Sequence, residues 1–215
     1  MNQEARFSRM EPELRKANLI EATLVCLKRH GFQGASIRKI SAEAGVSVGL
    51  ISHHYSGKDE LVAEAYLAIT GRVLTLLHDA MQQAAPNARE RLSAFFRGSF
   101  SAEVLDPQLI DAWLAFWGAV KTAEAINQVH DRSYGEYRGI LRKVLIELAE
   151  EEGWEHFDAD LAAIGLSALL DGLWLESGLN SGTFTPEQGV QICEAWVDGL
   201  QAGGRQRFCV QTSSC

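Results

Sequence analysis

The sequence predicts an all-α protein, with a small N-terminal three-helix domain carrying a helix-turn-helix and a larger helical domain behind it. Three observations predict it. Apolar residues recur at i, i+3 and i+4 through most of the chain. No apolar/polar alternation of strand type persists over a useful length, and no internal repeat is found. The four prolines, Pro12, Pro86, Pro107 and Pro186, each stand between helical stretches.

The elements follow in order. Pro12 suits a first helical turn, where its missing N–H costs nothing, and Leu14, Ala17, Ile20, Leu24 and Leu27 continue at helical spacing. His30-Gly31 ends that helix in a form that tolerates left-handed backbone. Ser36 caps a short helix, Ile37 to Ala44, closed by Gly45, and Ser47 caps another, Val48 to Tyr55. Ser56-Gly57 breaks the pattern before a long helix from Lys58 to about Gln83. Further helices are predicted near 87–103, 108–120, 122–152, 158–180 and 185–203. The breaks are Asp106-Pro107, Gly153 and Ser181-Gly182. Residues 1–57 are therefore expected to form one domain and 58–205 a second, with a frayed tail over 206–215.

The 215 residues are 47% hydrophobic and 22% charged, values that exclude a disordered or collagen-like chain. Four cysteines (Cys26, Cys193, Cys209, Cys215) in no metal-like spacing exclude a disulfide scaffold and point to a reducing cytoplasm. The best apolar run, Leu161 to Leu170, is short for a membrane span, and charges across the first fifteen residues leave no signal-peptide core. Net charge is −8 overall, but residues 1–60 carry +2 and residues 61–215 carry −10. A head that meets a polyanion and a body that stays off it would show this division, although domains also differ in charge by chance.

Residues Ile37 to Tyr55 carry the clearest signal. Ile37, Ile40 and Ala44 make an apolar face, Leu50 and Ile51 face it from the next helix, Gly45 allows the sharp reversal and Val46 fills the corner. That is the composition of a helix-turn-helix. With Leu50 and Ile51 inward, Ser47, Val48, Gly49, Ser52 and His53 occupy the outer face, the one a recognition helix turns to major-groove base edges. An ordinary helical hairpin would share much of this pattern. Gly45-Val-Ser-Val-Gly49 also matches the G-x-S-x-G elbow of serine hydrolases. That elbow needs a strand before it, whereas helical periodicity precedes Ser47 here, so Ser47 is expected to be an N-cap.

Together, His30-Gly-Phe32, Ala35-Ser36-Ile37, Ile40-Ser-Ala-Glu-Ala-Gly-Val-Ser47 and Tyr55-Ser-Gly-Lys-Asp-Glu-Leu61 resemble the TetR family of one-component repressors over residues 12–65. The family often carries tyrosine where Ser52 stands. Within it, Gly49-Leu-Ile-Ser-His-His-Tyr55 is similar to the G-I-I-S-H-Y-F segment of the choline-responsive BetI type. Asp111-Ala-Trp-Leu-Ala-Phe-Trp117 and Leu170-Asp-Gly-Leu-Trp-Leu175 are similar to stretches of that type too. The resemblance implies a cytoplasmic, dimeric, ligand-controlled repressor of a pseudo-palindromic double-stranded DNA operator, with no cofactor. Phosphates would be met by Ser36, Arg38, Lys39, Tyr55 and Lys58, beside the base-facing Ser47, Val48, Gly49, Ser52 and His53.

Trp113, Phe116, Trp117, Tyr134, Tyr137 and Trp174 gather aromatic rings in the acidic part of the chain, where Asp111 and Asp171 add carboxylates. Rings of this kind hold quaternary ammonium ions by cation–π contact, about 0.5–2 kcal/mol each; plain core packing would use the same residues. Helices 158–180 and 185–203 are apolar nearly all round, which suits a buried pairing surface between two subunits or within one. Other readings remain open: a TetR-type regulator of another pathway with a non-cationic effector, or a helical adaptor binding protein alone. An enzyme would need a nucleophile–base pair or a metal set. His30, His78, His130 and His156 are isolated in sequence and offer neither.

Overall fold

A computed structural model describes residues 12–202, in which nine α-helices and no strand occur. They are α1 (Pro12–Gly34), α2 (Ile37–Ala44), α3 (Val48–His54), α4 (Lys58–Gln82), α5 (Ala88–Ser99), α6 (Pro107–Ala119), α7 (Glu124–Glu151), α8 (Ala159–Leu179) and α9 (Pro186–Ala202). The expected tail over 206–215 lies outside the described residues, as do Cys209 and Cys215.

The punctuation acts as the sequence chemistry requires. Gly31 takes φ 64°, breaking α1 one turn before its end, and Gly45 takes φ 69°, ψ 34° to stop α2. Both conformations cost a residue with a Cβ. Ser36 and Ser47 accept backbone N–H bonds from Lys39 (3.3 Å) and Leu50 (3.2 Å), caps worth about 0.5–2 kcal/mol each. Ser47 is an N-cap, so the hydrolase elbow is absent. At the start of α4, Glu60 accepts from both the backbone N–H and the hydroxyl of Ser56, which holds its carboxyl below the usual range.

The helix expected over 87–103 ends instead at Ser99. The backbone turns through Phe100, and Ser101, Val104 and Leu105 bond within that turn rather than along a helix. The Ser99 hydroxyl also returns to the Phe95 carbonyl, a local bond typical of a helix giving way.

The chain divides into two compact units, and α4 and α7 each contribute to both. The first unit holds residues up to 72 and 106–133. There α1 packs on α2 and α6, and α2 on α3. Leu27, Ile40, Ile51, Leu61, Tyr66 and Phe116 are fully buried at its centre. Tyr66 places its hydroxyl 2.9 Å from Nδ1 of His130, so His130 is not isolated: it and Ser133, which bonds to Thr70, bind α7 to α4.

The second unit holds residues 73–105 and 134 onward, with α9 packed on α5 and α8. Arg89 on α5 pairs with Glu194 and with Asp198 (2.7 Å) on α9. Glu151 at the end of α7 accepts from the Ala88 N–H at the start of α5, a carboxylate at the positive end of a helix. Cys193 is buried here, and burial pushes its thiol up to about 12, which leaves it unreactive.

Helices α4 and α8 are each long and apolar enough to span a membrane by length and composition, contrary to the reading from the longest apolar run. In α4 the apolar residues are dispersed among polar ones, and in α8 the run Leu161 to Leu170 is only part of a longer apolar stretch. In α4 half of that stretch is buried inside the protein. Helix α8 is apolar on more than one face: Ala162, Ala163, Leu166, Leu170 and Trp174 are buried, whereas Leu161, Ile164 and Leu175 stand exposed.

Candidate functional site

In the first unit, α2 and α3 form the helix-turn-helix. Ile40 and Ile51 are fully buried and Val46 nearly so at the corner between them, and α1 fastens the end of α2 through Asn18, which donates to the Ala44 carbonyl at 3.0 Å. With that side anchored, Ser47, Val48, Gly49, Ser52 and His53 are all exposed on one short helix. Val48 leaves 42% of its surface open.

Around this face Arg38 and Lys39 are exposed, and Ser36 caps the helix that carries them. Lys39 reaches back to the Gly34 carbonyl at 2.7 Å, which orients its ammonium beside the N-terminus of α2. Tyr55 ends α3 and lies half-buried. Its hydroxyl is raised above its ordinary range by burial and then by Glu64. Lys58, expected at a phosphate, also has partners within the unit. Its ammonium donates to the Phe32 carbonyl at 3.0 Å and lies 4.0 Å from the centre of the Phe32 ring. The half-buried ammonium therefore braces the first turn of α4 against the end of α1.

Two neighbours of this face were missed in the sequence. His54 is exposed, its ring edge-on to that of His53 at 5.0 Å. Arg15 lines a groove of about 520 Å³ with His54, Tyr55 and Leu50, and its buried Nε has no partner. The adjacent His-His pair could have signalled the first. Arg15 is four residues beyond Glu11 in an undistinguished charged stretch, and nothing signalled it.

The eight residues expected to hold an effector fall in different units. Asp111, Trp113, Phe116 and Trp117 are on α6 in the first. Phe116 is fully buried and Trp113 nearly so, both against Tyr66 with ring centres 4.6 and 5.2 Å away, so these two rings are core. Asp111 is not an unneutralised carboxylate: it pairs with Lys28 at 3.3 Å. Trp117 stays half-buried, and its indole N–H has no partner.

Tyr134, Tyr137, Asp171 and Trp174 come together in the second unit. Tyr137 is 6% exposed and packs on Phe95 (5.6 Å between ring centres), Trp174 (6.0 Å) and Tyr134 (6.1 Å). The Trp174 indole donates to the Ser99 carbonyl at 3.0 Å, which fixes the plane of its ring. Two polar atoms in this cluster are buried with no partner, the Tyr137 hydroxyl and Asp171 Oδ1. Burial raises the Asp171 carboxyl above its ordinary value, opposed by the hydrogen bond from Tyr134 and by the charge of Arg138. Burial, then the Asp171 charge, raises Tyr137 far more. A carboxylate short of solvation beside Tyr134 and Tyr137 is an environment that could take a bulky organic cation.

Comparison with known proteins shows the family. Residues 19–65 match the profile described as bacterial regulatory proteins, tetR family, and residues 88–202 that described as BetI-type transcriptional repressor, C-terminal. The HTH-type transcriptional regulator BetI of Pseudomonas fluorescens is 32% identical over 92% of this chain and 98% of its own. A Pseudomonas aeruginosa PAO1 crystal structure, described as a transcriptional regulator, is 76% identical with a TM-score of 0.93, covering 96% of this chain and all of that one. A regulator from Saccharomonospora viridis solved in complex with choline shares the fold at 21% identity and a TM-score of 0.74, over 90% of this chain and 98% of its own. The chain belongs to the TetR family, as a DNA-binding transcriptional regulator with a C-terminal domain of BetI type and not an enzyme.

Proposed function

We propose that the protein is a cytoplasmic, homodimeric repressor that leaves its operator when a quaternary ammonium compound, choline or a relative, enters the second unit. The observation that carries the effector reading is the Asp171–Tyr137 pair, two buried polar atoms without partners among Tyr134, Phe95 and Trp174. The choline complex of the Saccharomonospora viridis regulator supports that ligand class. On this reading Ser47, Val48, Gly49, Ser52 and His53 meet base edges, while Ser36, Arg38, Lys39, Tyr55 and Lys58 meet phosphates.

Exposed Leu161, Ile164 and Leu175 on α8 and Ile192 on α9 support pairing of two subunits through these helices. A two-fold dimer sets two recognition helices on one DNA face about 34–36 Å apart. The effector acts by binding the DNA-incompetent arrangement more tightly than the competent one. The test is a mobility-shift titration on DNA upstream of the gene, with and without choline, using the wild type and Asp171→Asn. Release of the wild type but not of the variant is expected. Release of both alike would remove Asp171 from the site, and absence of any specific shift would overturn the operator reading.

A further inference from the structure

A groove of about 710 Å³ opens in the second unit between the C-terminal half of α4, the start of α5 and the middle of α7. None of Tyr134, Tyr137, Asp171 and Trp174 lines it. Its apolar surface comes from Leu74, Met81, Ile140 and Val144. Its polar surface includes His78, Arg91 and Lys143, a concentration of basic groups within a stretch of the chain whose net charge is −10. One acid, Glu136, lines it as well and has a partner of its own.

Two details bear on what this groove could hold. Arg91 pairs with Glu147 through one terminal nitrogen, yet its Nε is buried with no acceptor. That Nε is closed to the groove, but 28% of the Arg91 side chain is open and gives the groove a guanidinium face. Gly139 lies in the interior of α7 and lines the groove, and a Cβ built there would meet nothing within 4 Å. Neither close packing nor backbone conformation calls for glycine at a position where alanine would favour the helix. Its bare surface leaves room for a ligand.

We propose that this groove binds a small organic anion with an aliphatic body. Its carboxylate meets the Lys143 ammonium and the open part of the Arg91 guanidinium, and its chain lies on Leu74, Met81, Ile140 and Val144. The volume falls in the range of small-molecule sites, roughly 300–1,000 Å³. The inference does not rest on the cation site proposed above, and both can hold in one molecule.

Calorimetric titration of the full chain with hexanoate, hexanol and hexylamine separates charge recognition from simple apolar partition. Hexanoate is expected to bind and hexanol about tenfold more weakly, while any hexylamine heat belongs to the Asp171 cluster and is expected to be unchanged in Gly139→Leu. Lys143→Gln should weaken hexanoate about five- to tenfold and leave hexanol unchanged, and Gly139→Leu should abolish both by filling the groove. Arg91 is left intact because its pair with Glu147 helps hold α5 to α7. Unchanged thermal melting of the two variants shows that they remain folded. Equal binding of hexanoate and hexanol, hexanoate affinity indifferent to Gly139→Leu, or no hexanoate binding up to about 10 mM would each overturn the proposal.

Discussion

The Lys58 ammonium sits 3.0 Å from the Phe32 carbonyl and 4.0 Å above the Phe32 ring, fastening the first turn of α4 to the last turn of α1. Helix α4 continues from there to Gln82, into the second unit. Whatever displaces α4 must therefore also displace Phe32 or break this contact. The same side chain is the proposed phosphate ligand, and its remaining N–H groups are free to serve that role.

Lys58→Ala should separate these two duties. Loss of the cation–π contact and a charged hydrogen bond costs about 1–3 kcal/mol, which lowers Tm by roughly 2–10 °C in a chain of this size. Affinity should fall alike for all DNA sequences, and the slope of log affinity against log salt should shrink by about one. A lower Tm with an unchanged salt slope would assign Lys58 to bracing alone.

Val48 makes a more specific prediction. The outward residues of α3 include no Arg, Lys, Asn or Gln, so the bidentate readings of guanine and adenine are unavailable from this helix. An exposed isopropyl group at its first position suits the C5-methyl of thymine. Replacing the facing thymine by deoxyuridine should cost about 0.8 kcal/mol, roughly fourfold in affinity, for the wild type and nothing for Val48→Ala. If every thymine can be replaced without loss, Val48 does not read the operator.

Much of this was legible in advance, for reasons that differ from residue to residue. The helix-turn-helix is written in local chemistry: Ser36 and Ser47 cap, Gly45 turns, Ile40 and Ile51 bury, and no distant residue is needed to decide any of these. The outward face of α3 then follows by exclusion. The effector residues were legible only as types. Trp113 and Phe116 look no different in sequence from Tyr137 and Trp174. All four are buried; what differs is the surroundings, since Trp113 and Phe116 pack on Tyr66 of α4, about fifty residues earlier, whereas Tyr137 keeps a hydroxyl without a partner. Asp111 pairs with Lys28 across a separation no periodicity reports. Arg138 beside Tyr134 was readable, since the two are i, i+4 on α7.

The exposed apolar face of α8 predicts the oligomeric state. Ile164 leaves 50% of its surface open and Leu161 47%, more than a monomer's helix would ordinarily expose side by side. Ile164→Asp would bury a charge if two copies meet there. Sedimentation should show a dimer for the wild type and a monomer for the variant, with operator affinity falling as the two heads are uncoupled. A variant that remains dimeric would place the interface elsewhere.

Asp171 predicts a pH dependence whose sign is set by burial. Its carboxyl is raised in the folded protein, so the protonated form is the one folding favours. Its contribution is present below the unfolded pKa and is lost as pH rises through the folded one, so Asp171→Asn should melt higher than the wild type at pH 7. A bound cation favours the ionised form and draws the pKa back down. Choline affinity should therefore increase with pH until Asp171 is ionised and stay level above that, with protons released on binding in the acidic range. Asp171→Asn should bind choline weakly at every pH and release none. Calorimetry in two buffers of different ionisation enthalpy measures the protons directly. Identical proton counts for wild type and variant would show that the carboxylate does not meet the cation.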